Sequence, residues 1–96
     1  MYEAEQLRLK GEMLLARSAE HHFEAEARFT HALELARRQQ AKSWELRAAI
    51  SLSRLWQRHG RRDKARDLLA PVHHWFTEGF ETTDLQAANA MLEQLR

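Results

Sequence analysis

The chain has 96 residues, 44% hydrophobic and 30% charged, which is the composition of one small folded domain and excludes a disordered polar tail. Fifteen Lys and Arg against 14 Asp and Glu leave a formal net charge of +1, so no global field directs it toward nucleic acid or anionic lipid. The lack of cysteine excludes disulfides, thiolate metal sites and thiol catalysis, and apolar runs such as Leu68 to Val72 are far short of the roughly 20 residues that span a bilayer.

The stretch from Met1 to Gly11 is charged and lacks the apolar core of a secretory signal, so a cytoplasmic location is expected. Three glycines and one proline interrupt segments whose apolar residues recur at a period near 3.6, and an all-α fold of five antiparallel helices is expected. In the first segment Leu7, Gly11 and Leu14 make a narrow face on a helix over about 2–17, with the glycine marking a close approach. Ala25, Phe29, Ala32, Leu33 and Ala36 make a clean stripe over about 22–39. Ala49, Leu52, Ser53 and Trp56 line a third helix ending near Gly60, a residue suited to the left-handed conformation just past a helix end.

The fourth helix, about 62–76, carries Ala65, Leu68, Leu69, Val72 and Phe76, and Pro71 inside it removes a backbone bond toward Asp67, so a kink is expected. After Glu78, Gly79 and Phe80, Thr82 or Thr83 caps a last helix. With Thr83 at the N-cap, Gln86 completes a capping box, and Leu85, Ala88, Leu92 and Leu95 form the buried face.

The spacing Ala25, Phe29, Ala32 returns as Ala65, Leu69, Val72, which is an internal repeat. This small-large-small pattern resembles the second helix of a tetratricopeptide repeat, and Leu52, Ser53, Trp56 and Gly60 match the first helix of such a repeat and its turn. Leu7, Gly11 and Leu14 match the same first-helix positions in the earlier unit. The stretches RLKGEMLL, ALELARRQQAKSWELRAAISLSRLW and GRRDKARDLLAPVHHWFTEGF resemble the C-terminal helical repeats of large bacterial signalling proteins that join a nucleotide cyclase or regulatory domain to a predicted ATPase module. The resemblance implies a single TPR-like solenoid domain over 1–96, with repeat one over about 2–40, repeat two over about 42–77 and a capping helix over about 83–96. It also implies a non-catalytic interaction module at the end of a longer chain. No GxxxxGK[ST] phosphate loop is present to carry the enzyme activity of such a parent, and no cofactor is expected.

In repeats of this kind the first helix of each pair lines the concave face. There Arg47, Arg54 and Arg58 fall on one side of the third helix, with Ile50 and Gln57 between them, and the first helix sets Glu5, Arg8 and Glu12 opposite. These eight residues are the candidate binding groove, since a guanidinium row grips carboxylates of a peptide or neighbouring domain. The alternative use of the arginines is pairing with the glutamates across the groove, in a cap that serves structure alone. Arg58, His59, Arg61, Arg62, Lys64 and Arg66, opposed by Asp63, form a basic turn that offers phosphate contacts, but it lacks interleaved aromatics for stacking, so nucleic acid is the weakest reading.

The pairs His21-His22 and His73-His74 point about 100° apart on a helix and do not share a metal as an i, i+4 pair does. His22-Phe23-Glu24 matches part of a zinc deaminase signature whose cysteines this chain lacks. Trp44, Trp56, Trp75, Phe76 and Phe80 are expected as core or capping contacts. The outer face of the first helix, without a preceding repeat, gives a route to a homodimer.

Overall fold

The computed structural model describes residues 3–76 and 83–96, apart from the side chain of Ala19. Among these residues the chain is all α, with helices α1 (Glu3–Arg17), α2 (His22–Arg38), α3 (Lys42–Arg58), α4 (Arg62–Trp75) and α5 (Thr83–Gln94), and one short 3-10 turn, Ala19–His21, leading into α2. The helix bounds agree with the periodicity to within a residue or two. One local expectation needs correction. α5 already includes Thr83, so Thr83 is a helical residue and not the N-cap that the capping box with Gln86 requires. The alternative cap, Thr82, lies outside the described residues, as do Glu78, Gly79 and Phe80. α4 runs through Pro71 without a break. Pro71 and Asp67 are both exposed, so the carbonyl deprived of its donor lies on the solvent side, where water can take the lost bond.

Each helix packs on the next, and α1 and α5 also reach α3, so α3 touches all four of the others. α2 and α4 do not meet. α1, α3 and α5 therefore make one layer, with α2 and α4 laid into its two grooves, and the smallest dimension of 19 Å is the depth of two packed helices.

The α2 stripe of Ala25, Phe29, Ala32, Leu33 and Ala36 is buried as its spacing demands. On α5, Leu85, Ala88 and Met91 are buried, as is Leu95 just past its end, while Leu92 is half-buried at the edge. α3 exceeds its expected stripe: besides Ala49, Leu52 and Ser53 it buries Glu45, Leu46, Ala48, Ile50, Ser51 and Leu55. A stripe suits a helix with one packed side. α3 is packed on several, so polar residues come inside and must find partners there. Ser53 Oγ donates to the Ala65 carbonyl of α4 at 3.2 Å. The Glu45 carboxylate accepts from Arg37 Nε at 3.1 Å and Lys42 Nζ at 3.2 Å, which ties the end of α2 to the start of α3.

The α1–α2 contact rests on Gly11. A Cβ built there would stand 2.5 Å from Phe29 Cε1 and 2.8 Å from Cδ1, and Phe29 is itself fully buried. The glycine thus buys the ring its place, at some cost in helix propensity.

The α2–α3 and α3–α4 turns share one construction. Ala41 N–H donates to the Ala36 carbonyl at 2.9 Å and Gln40 N–H to Arg37 at 3.1 Å; in the next turn Arg61 N–H donates to Trp56 at 2.8 Å and Gly60 N–H to Gln57 at 3.2 Å. This is the paired bonding of a Schellman motif, which needs a left-handed residue just beyond the helix. Gly60 supplies it at φ 76° without strain, whereas Gln40 supplies it at φ 55° with a side chain.

Gln40→Gly is therefore expected to raise the unfolding free energy by roughly 0.5–1 kcal/mol, and Gly60→Ala to lower it by a similar amount, in urea titrations followed by circular dichroism. Gly11→Ala is expected to cost about 1–3 kcal/mol in the same assay despite the better helix propensity of alanine. A neutral or stabilising result would mean that the Phe29 ring has room to move.

Candidate functional site

The eight groove residues divide into two groups. α5 lies along the α3 edge that carries Arg47, Ile50 and Gln57, and engages it. Arg47 Nε donates to Asp84 Oδ2 at 2.8 Å, and its Nη1 stands 3.6 Å from Glu5 Oε1. The Asp84 hydrogen bond holds the Arg47 guanidinium above even the usual arginine range, against the opposing effect of partial burial and with help from the charges of Asp84 and Glu5. Arg47 is cationic at any working pH and already neutralised. Gln57 Nε2 donates to Gln94 Oε1 at 3.3 Å. Ile50 is 6% exposed, a core residue whose edge lines the groove floor between Arg47 and Arg54.

On the α1 wall, Arg8 Nε donates to Glu5 Oε1 at 2.8 Å, its Nη2 is also bound to that oxygen, and its Nη1 reaches Ser51 Oγ at 3.4 Å. The second Glu5 oxygen, Oε2, is buried with no hydrogen-bond partner among the described residues. Arg8, Glu5, Arg47 and Asp84 thus form one chain of alternating charge that links α1, α3 and α5.

Arg54 and Arg58 behave differently. Neither makes an ion pair or side-chain hydrogen bond with the described residues. Both line a pocket of about 220 Å³ between α1 and α3, whose other walls are Glu12, Leu15, Ala16, Ser51 and Leu55. A second pocket of about 190 Å³, lined by Arg8, Arg47, Ile50, Ser51, Arg54, Asp84 and Ala87, adjoins it and shares Ser51 and Arg54. The cross-groove pairing weighed as an alternative is therefore present at Arg47 with Glu5, and Arg54 stands outside it.

The basic turn is largely engaged within the chain. Arg61 Nη1 lies 3.5 Å from Glu26 Oε1, and Arg66 Nη2 lies 3.0 Å from Asp63. Arg62 donates to the carbonyls of Gln94 at 2.6 Å and Arg96 at 3.4 Å, and Arg66 donates to that of Leu95 at 3.4 Å. The first two turns of α4 thus supply the positive charge that the C-terminal end of α5 favours. Lys64 Nζ sits 4.4 Å from the centroid of the Trp56 ring, and the His59 ring packs on His22 at 4.5 Å. Trp56 Nε1 donates to Glu26, so one α2 carboxylate holds both the tryptophan of α3 and Arg61 beyond it.

Among the described residues no three His, Asp or Glu side chains converge as a metal-ligand set. The aromatics are mixed: Trp56 and Phe76 pack half-buried on the core, whereas Trp75 is 57% exposed with Lys42 Nζ at 5.2 Å and Phe76 edge-on at 5.0 Å. No helix is long and apolar enough to cross a membrane among the described residues.

Sequence reasoning did not anticipate Asp84 or Ser51 in the groove, nor Glu26 beneath Trp56. Asp84 reads as an acid at a helix start, and its place beside Arg47 follows from how α5 lies on α3. In comparisons with known proteins, no family model, no curated protein and no solved structure matches this chain.

Glu26→Ala is expected to lower the unfolding free energy by about 1–2 kcal/mol, since it strands the Trp56 N–H and frees Arg61. In a background with Trp44→Phe and Trp75→Phe, it should also change the emission of Trp56. An unaltered spectrum would show that the Trp56 ring is not held by Glu26.

Proposed function

We propose that this chain is a non-catalytic protein-interaction module of TPR-like helical repeats, which binds an extended segment of another protein, or of a neighbouring domain, along the groove between α1 and α3. The observation that carries this reading is the contrast along α3. Arg47 is neutralised by Asp84 and Glu5, while Arg54 and Arg58, two and three turns farther on, face a pocket with no partner among the described residues. Unpaired guanidinium groups beside apolar Leu15, Ala16 and Leu55 suit a ligand that brings both carboxylates and a hydrophobic surface.

The repeat reading is supported by the packing of successive helices, the contacts of α3 with α1 and α5, and the matching turns after α2 and α3. On the resemblance of its sequence, the module belongs to the C-terminal region of a larger cytoplasmic signalling protein of the cyclase and ATPase kind, with α5 as its capping helix.

A second reading, self-association, is favoured by the outer face of α1, where Leu9 and Met13, one turn apart, are 48% and 63% exposed. Light scattering over a concentration series tests it, and a strictly monomeric mass at the highest concentration counts against it.

For the main reading, the immobilised chain and its Arg54→Glu, Arg58→Glu variant are exposed to lysate after circular dichroism has shown equal helicity. A protein retained by the parent chain and lost from the variant is the expected outcome. Equal retention on both places binding elsewhere, and retention by neither favours a cap that serves structure alone.

A further inference from the structure

The groove's dimensions specify its ligand more narrowly. We infer that the segment it takes is an extended strand with acidic side chains at alternate positions, Glu-x-Glu or Asp-x-Asp, seated on Arg54 and Arg58; this rests on the groove reading above. The two pockets adjoin through Ser51 and Arg54, and at about 220 and 190 Å³ each is suited to a side chain rather than to a cofactor. From Arg47 to Arg58 the helix rises about 16 Å, the length of roughly five extended residues. Arg54 and Arg58 are one turn apart, a rise of about 6 Å, which nearly equals the roughly 6.6 Å between side chains on the same side of an extended strand. Adjacent acidic residues in such a strand point to opposite sides, and only one of them meets a guanidinium.

Charge along the groove fixes where the acids lie. At the α5 end Arg47 is spent on Asp84, and Arg8 on Glu5, so a carboxylate gains little there and meets Asp84. At the other end two unpaired arginines face one acid, Glu12, leaving a local excess of positive charge. Glu12 offsets part of that excess. It weakens an acidic ligand without blocking it, and its removal is therefore a sensitive probe.

The test uses fluorescein-labelled peptides of the form Gly-Glu-Ala-Glu-Gly, with Gly-Glu-Glu-Ala-Gly and Gly-Gln-Ala-Gln-Gly for comparison, titrated with the chain and read by fluorescence anisotropy. The alternate-acid peptide is expected to bind most tightly, and Arg54→Gln or Arg58→Gln each to weaken it roughly tenfold, the loss of one charge-assisted pair. Glu12→Gln is expected to strengthen it a few-fold, and Arg38→Gln on the outer side of α2 to leave it unchanged, all variants being checked for equal helicity. Equal binding of the two acidic peptides, or binding indifferent to Arg54→Gln, overturns the inference. If the glutamine peptide binds as well as the acidic one and depends on Arg54 and Arg58, the groove reading stands and the acidic ligand falls. If no peptide binds while lysate capture still depends on the two arginines, the short acidic strand falls alone; if capture fails as well, both readings fall.

Discussion

The structure depends on the position of α3, a helix of 17 residues that packs against all four of the others. A helix so placed has little surface left for solvent, and every polar group on it must be satisfied by a neighbour or turned toward a gap between neighbours. Ser53 is bonded to the backbone of α4 and Glu45 to two cations at the α2–α3 turn. Arg47, Ser51, Arg54 and Arg58 lie along one line of α3, facing the seams with α1 and α5. The candidate groove is the part of α3 that its neighbours leave uncovered.

α5 decides how much of that line stays open. Its first turn brings Asp84 to Arg47, its side carries Ala87 to the groove wall, and its C-terminal carbonyls are met by Arg62 and Arg66 of α4. The helix is thus fixed at both ends by arginines of the preceding hairpin. A row of three equivalent guanidinium groups becomes one structural residue and two available ones, and a basic turn with the look of a phosphate site becomes mostly an internal brace.

The helices themselves were legible in the sequence because spacing carries them: the α2 stripe, the close approach at Gly11 and the left-handed Gly60 each follow from local rules. The turn at Gln40 was not legible, since glutamine gives no signal for a left-handed backbone, and only its likeness to the Gly60 turn reveals it. The burial on α3 was understated because periodicity registers one packed face and α3 has several. Within the groove, the facing of α1 and α3 was expected from the resemblance to helical repeats, and helix positions added only which residues share a side of each helix. The pairing that separates Arg47 from Arg54 was not, because Asp84 lies 37 residues away and its arrival depends on the path into α5.

The topology also has a kinetic meaning. No helix touches another more than two places along the chain, so contacts close small loops and little chain entropy is lost before they reward it. Such a chain belongs among fast folders, with a nucleus able to form wherever two successive helices first meet. α3 takes part in every set of contacts that spans more than one hairpin, so the hairpins can form in either order, but the domain becomes a single cooperative unit when α3 has found partners on both sides.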